Sequence, residues 1–168
     1  MKDIDIIQRQ LDRVLGFFPR VEARINALFG VNTLILVIAA LNLSAGDLRL
    51  WYVTVPGVLL VVGLLVSYYQ LLRANFPDDK GGEKSLVFFK EIQKRTEANY
   101  IAEFLECSEA ALRNDLLGQI WRNSCIVCEK YQRVKLAIIT TAISVAPFVV
   151  FLVITGTIHA RIPLLKGD

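Results

Sequence analysis

Leu136–Ile158 reads LAIITTAISVAPFVVFLVITGTI, a run with no Asp, Glu, Lys, Arg or His. Thirteen of its residues are large aliphatics or Phe. At ~0.3–0.6 kcal/mol each, they favour insertion into a bilayer by about 4–8 kcal/mol before the polar residues are counted. Two earlier runs, Ile25–Leu43 and Trp51–Leu72, are equally free of charge. At ~1.5 Å per residue, each of the three can cross a hydrocarbon core of about 30 Å. The intervening residues 73–135 are charged and amphipathic, with eleven Lys or Arg and ten Asp or Glu. The expected fold is therefore an all-α integral membrane protein. Spans at 25–43 and 51–72 form a hairpin, a helical block at 73–135 follows, and a third span occupies 136–158.

Charge sets the expected orientation. The arm at 1–24 carries Lys2, Arg9, Arg13, Arg20 and Arg24, whereas Ser44–Leu50 carries only Arg49. Basic residues accumulate on the cytoplasmic side, which places the arm and residues 73–135 inside and the tail at 159–168 outside. The formal net charge of +3 and the balanced block give no basic footprint for nucleic acid. A secretory leader fits poorly, because a long mixed-charge arm precedes the first apolar run.

Along the arm, Ile4, Ile7, Leu11, Val14, Leu15 and Phe18 recur at helical spacing, predicting an amphipathic helix over 3–21. It can lie at the membrane surface or pack on the central block, and its mixed-sign polar face favours packing. Pro19 predicts a kink or break. Ser44–Asp47 is the outer turn, and Trp51 and Tyr52 are interfacial anchors. Residues 76–82 (FPDDKGG) form a loop, and Ser85 caps the helix that follows. Leu112, Leu116, Ile120, Trp121, Ser124, Val127, Tyr131 and Val134 then recur in threes and fours. No break separates them from the third span. One helix over Glu109–Ile158, about 75 Å if straight, is expected, with Gly118 and Pro147 as its places to bend.

Little points to catalysis. There is no phosphate-binding Gly loop, HExxH or GxSxG, and residues 73–135 hold no His. The protein is not expected to be an enzyme. Cys125-Ile126-Val127-Cys128 has a metal or redox spacing but lacks further ligands, so no metal is expected and both cysteines read as small buried hydrophobes. Within the spans, Asn32 and Asn42 need a polar partner on another helix or a wet cavity. Gly63/Ser67 and Ala142/Ala146 are small pairs that allow close helix contact, within one subunit or between subunits. Pro56 and Pro147 are candidate kinks with a role in packing or gating. In the block, Lys90, Arg95, Tyr100, Arg122, Lys130, Tyr131 and Arg133 mix cations with aromatics. Such groups can hold a phosphate by charge and a base by stacking, and they also occur on ordinary helical surfaces.

Four short stretches carry a family likeness: Ser85–Ile92 (SLVFFKEI), Phe104-Leu105, Asn114–Ile120 (NDLLGQI) and Glu129–Ala137 (EKYQRVKLA). With the early pair of spans, the chain resembles the transmembrane effector family of the bacterial Pycsar anti-phage systems. The lead-in to the first span, Val21–Ala27, departs from the family's acidic and Lys-Ala pattern. The resemblance implies an effector in the bacterial inner membrane that responds to cyclic CMP or cyclic UMP from a partner nucleotide cyclase. It also implies damage to the lipid bilayer. A homo-oligomer whose subunits move together is the expected means, with no cofactor beyond the nucleotide ligand. No cyclic-nucleotide-binding β-roll is recognisable, so the helical block would be the sensor. The competing expectation is a membrane-anchored helical scaffold without pore activity.

Overall fold

The computed structural model describes residues 2–76 and 82–159. Met1, most of the expected loop (77–81) and all but the first residue of the expected external tail (160–168) lie outside the described residues. The described elements are α1 (Lys2–Leu15), α2 (Phe17–Asn42), a 3-10 turn (Asp47–Arg49), α3 (Trp51–Asn75), α4 (Phe89–Gln93), α5 (Glu97–Glu106) and α6 (Glu109–Ile158). Among the described residues there is no strand. The chain divides into two compact units, residues 1–22 with 76–131, and residues 23–75 with 132–168.

The second unit joins most of α2, all of α3 and the second half of α6. Its apolar runs form three helices long and apolar enough to cross a membrane. Only 22%, 28% and 22% of the three apolar windows are buried within the protein. The remaining apolar surface needs a hydrocarbon solvent, so this is a membrane protein. Ile35, Leu60 and Leu64 form the core, with Leu36, Ala39 and Phe148 packed against them. Next to it, each helix contributes one buried polar residue. Asn32 Nδ2 donates to Ser67 Oγ at 2.9 Å, and Thr141 Oγ1 donates to Asn32 Oδ1 at 2.9 Å. Ser67 and Thr141 hydroxyls are also 2.9 Å apart. Since Thr141 has one hydroxyl hydrogen, already committed to Asn32, Ser67 is the donor there. The three bonds close a ring that satisfies both hydroxyl hydrogens, the amide oxygen and one amide hydrogen, which lowers the cost of an amide in hydrocarbon.

Close approach accompanies this ring. A Cβ on Gly63 would lie 2.1 Å from Ser144 Oγ, so a glycine is needed where α3 meets α6. Ala142 and Ala146 are instead exposed, and within the chain the close contacts of α6 fall to Ala137, Thr141 and Ser144. Asn42 Nδ2 donates to the Ile38 carbonyl of its own helix. Pro56 is buried and Pro147 half-buried, and both helices continue through them. At one end, Asp47 Oδ2 accepts from the Ser44 amide at 2.7 Å and lies 3.0 Å from His159 Nε2. The α2–α3 turn is thus tied to the residue after α6.

In the first unit, α1 buries Leu11 and Val14. The break expected at Pro19 falls at Gly16 instead. Pro19 is the third residue of α2, within the first turn, where amides have no intrahelical partner to lose. The first half of α6 turns Leu116, Gln119, Val127 and Lys130 inward. At 100° per residue these share one side of the helix, and Trp121, Ser124, Cys125 and Cys128 stand opposite. Both cysteines are therefore exposed, not buried as expected, and so are Trp121 and Ser124.

Candidate functional site

Residues 82–88 are not helical, and side chains from distant parts of the unit hold them in shape. Ser85 is buried at the centre. Its hydroxyl donates to Asp115 Oδ2 at 2.9 Å and accepts from the amides of Val87 and Phe88 at 3.1 and 2.9 Å. Gln119 Nε2 adds a fourth bond at 3.0 Å. Asp115 Oδ2 also accepts from the Leu86 amide at 2.8 Å. Ser85 thus organises the turn leading to α4 and docks it on α6, although Phe88 takes the N-cap position itself.

Arg95 closes the segment from the other side. Its Nη1 donates to the carbonyls of Ser85 (3.2 Å) and Glu91 (2.7 Å), Nη2 to that of Lys84 (3.0 Å), and Nε to Glu103 Oε2 (2.8 Å). Tyr100 Oη donates to the Leu86 carbonyl at 3.2 Å. Held this way, Lys84 adopts φ 59°, a left-handed conformation unusual for a residue with a side chain. The Lys84 amide donates to Glu91 Oε2 at 3.1 Å, and Lys94 pairs with the same carboxylate. Lys94 first, and the Lys84 amide with it, hold the Glu91 carboxyl below its ordinary range.

Between this segment and α6 lies a cavity of about 350 Å³, lined by Gly82, Ser85, Asn114, Asp115, Gly118 and Arg122 among others. That volume falls at the lower end of small-molecule sites, roughly 300–1,000 Å³. Glu83 and Lys84 also line the cavity, and Arg122 is its one guanidinium. Its Nη2 is 3.9 Å from Asp115 Oδ1, too long for a tight pair. Its Nε is buried with no hydrogen-bond partner among the described residues. The guanidinium occupies space left by two glycines: a Cβ would meet it at 2.5 Å from Gly82 and at 3.2 Å from Gly118. Gly118 thus makes room for Arg122, and α6 runs through it uninterrupted. A planar cation with an unsatisfied donor, next to an amide side chain and a carboxylate, suits an anionic group carrying a polar ring.

The cation and aromatic candidates do not share this site. Arg122 lines it, and Arg95 and Tyr100 support its wall from behind. Lys90 and Tyr131 are half-buried outside its lining. Lys130 is buried with its Nζ 3.5 Å from Glu22 Oε1 and 5.7 Å from the Phe18 ring centre, an arrangement that anchors the start of α2. Arg133 belongs to the other unit, where Nη1 donates to Gln70 Oε1 at 3.2 Å. Ser85, Asn114, Asp115 and Gln119 were not singled out as site residues from the sequence. They are ordinary polar residues, and Ser85 lies 30 and 34 positions before its partners Asp115 and Gln119, so only folding brings them together.

Residues 6–156 match the family model of the Pycsar effector protein domain. No curated protein and no solved structure gives a significant match to the chain. A match over nearly the whole length, on three apolar helices and a polar helical unit, settles the assignment: the chain belongs to the Pycsar effector family of bacterial anti-phage proteins.

Proposed function

We propose that this protein is an inner-membrane effector activated by a cyclic pyrimidine mononucleotide, cyclic CMP or cyclic UMP, supplied by a partner cyclase. The cavity beside Arg122 would receive the nucleotide, with the phosphodiester on the guanidinium and the base towards Asn114 and the 82–86 backbone. The observation that carries this reading is Arg122, which lines a cavity of mononucleotide scale and has a buried Nε without a hydrogen-bond partner among the described residues. Occupancy would draw the 82–88 segment and α6 into one packing. Because α6 is a single helix from Glu109 to Ile158, that packing is passed to the third span, and several subunits rearranging together breach the bilayer. A ligand shifts this balance only by binding one packing more tightly: about 5.5 kcal/mol carries a 1:99 equilibrium to 99:1. In this reading residues 73–135 and the N-terminus face the cytoplasm, where the nucleotide is made.

The test is dye release from liposomes carrying the full-length protein, with each nucleotide added separately. One nucleotide should release dye, and Arg122→Ala should abolish the response while inserting normally. Silence with both nucleotides, in vesicles shown to hold inserted protein, would overturn the reading and favour a scaffold.

A further inference from the structure

Asp115 lines the cavity beside Arg122 with one oxygen tied and the other free. Its bonds to the cavity wall both go to Oδ2, which accepts from the Ser85 hydroxyl and the Leu86 amide. Oδ1 accepts no hydrogen bond among the described residues and lies 3.9 Å from Arg122 Nη2. A carboxylate oxygen accepts and does not donate. Next to a guanidinium that holds an anion, it repels a second anionic oxygen and welcomes a hydroxyl hydrogen. The two side chains thus suit a ligand whose anion and hydroxyl are close neighbours. In a ribonucleoside 3′,5′-cyclic phosphate, the 2′-hydroxyl stands on the carbon next to the one carrying the 3′ ester oxygen. The amino group of cytosine, at the far edge of the base, is too distant from the phosphate to share so short a spacing. Glu83, the other carboxylate of the lining, is exposed.

We infer that Asp115 reads the sugar of the ligand. With the phosphate on Arg122, Oδ1 accepts from the ribose 2′-hydroxyl, a role that acidic residues also take towards ribose in dinucleotide-binding folds. The site therefore takes ribonucleoside 3′,5′-cyclic phosphates and rejects both 2′-deoxy forms and 2′,3′-cyclic isomers. A deoxy ligand covers Oδ1 without giving it a donor. In a 2′,3′-cyclic isomer the 2′ oxygen is an ester oxygen with no hydrogen, so acceptor meets acceptor. The free hydroxyl of that isomer is on C5′, on the opposite face of the sugar. Attack of an RNA 2′-hydroxyl on its own backbone yields 2′,3′-cyclic ends, and an effector that damages the membrane has to ignore them. This inference deepens the nucleotide reading above and rests on it.

The test is calorimetric titration of the full-length protein in detergent. The ligands are 3′,5′-cyclic CMP and UMP, their 2′-deoxy counterparts and their 2′,3′-cyclic isomers. The 3′,5′ ribonucleotide that binds should do so at least about tenfold more tightly than its deoxy and 2′,3′ counterparts, the effect of one hydrogen bond to a charged group. This comparison changes only the ligand and needs no variant to fold. Asp115→Asn keeps a carbonyl oxygen for Ser85 and Leu86 and turns the free acceptor into a donor, so both ratios should fall to about twofold or less. Glu83→Gln should leave them as in the wild type. Equal wild-type affinity for the ribo and deoxy forms overturns the inference and leaves the nucleotide site standing. Discrimination that survives Asp115→Asn, or that disappears in Glu83→Gln, overturns it as well. Binding of none of these ligands overturns both readings.

Discussion

Gly63 on α3 faces Ser144 on α6 so closely that a methyl group on the glycine would sit 2.1 Å from the serine hydroxyl oxygen. That hydroxyl donates to the Thr140 carbonyl and would have to swing away. Gly63→Ala should therefore destabilise the protein by about 1–3 kcal/mol through overpacking. Ser144→Ala, which removes the clashing atom, should recover part of that loss in the double variant, since 3.3 Å to the Ser144 Cβ is tight but tolerable. Unfolding in mixed detergent micelles reads both. Equal midpoints for wild type and Gly63→Ala would show that the helices can part there freely.

The Asn32–Ser67–Thr141 ring gives a second prediction. Removing the amide leaves the Thr141 hydroxyl without its acceptor and Ser67 without one donor, while Ser67 Oγ keeps the Ala137 carbonyl of α6 within reach at 3.2 Å. Membrane hydrogen bonds of this kind contribute about 0.6 to 2 kcal/mol. Asn32→Ala should therefore lower the same unfolding free energy by about 1–2 kcal/mol, and Asn32→Asp should lower it more by placing a charge in the bundle. A neutral Asn32→Ala would mean that the ring contributes nothing measurable.

The sequence makes the spans plain because a charge-free run leaves a helix few alternatives to hydrocarbon. It does not say which residues of a span face one another, and Asn32 and Thr141 are 109 positions apart. In the polar unit, residue type pointed to chemistry where folding supplies architecture. Arg95 and Tyr100 look like ligand groups but are occupied with the carbonyls of residues 84–91. Lys130 resembles a phosphate contact yet lies against Glu22 and Phe18. The cavity itself is shaped by a serine and two glycines, whose roles depend on where the backbone passes.

The tie between Asp47 and His159 makes stability depend on pH. The Ser44 amide first, and then His159, hold the Asp47 carboxyl below its ordinary range. A depressed folded pKa contributes stability above the unfolded value, about 3.9, and that contribution is lost as pH falls through the folded value. Acid unfolding of the wild type should thus include a step below about pH 4 that Asp47→Asn lacks. Superimposable acid profiles for the two proteins would remove Asp47 from the account.

Ser85 and Arg95 hold the same backbone segment by different chemistry, and their variants should separate shape from binding. Ser85→Ala leaves the Val87 and Phe88 amides without their acceptor and Asp115 without one donor, at a cost of about 1–3 kcal/mol. Arg95→Lys keeps the charge but cannot span the three carbonyls and Glu103 that the planar guanidinium reaches. Neither residue needs to touch ligand for its loss to loosen the cavity wall. Both variants should therefore raise the nucleotide concentration required for dye release while preserving the full extent of release at saturation. Arg122→Ala should instead remove the response at every concentration. A reduced maximum in Ser85→Ala or Arg95→Lys, with unchanged half-saturation, would place the segment in the transmission step and not in the binding wall.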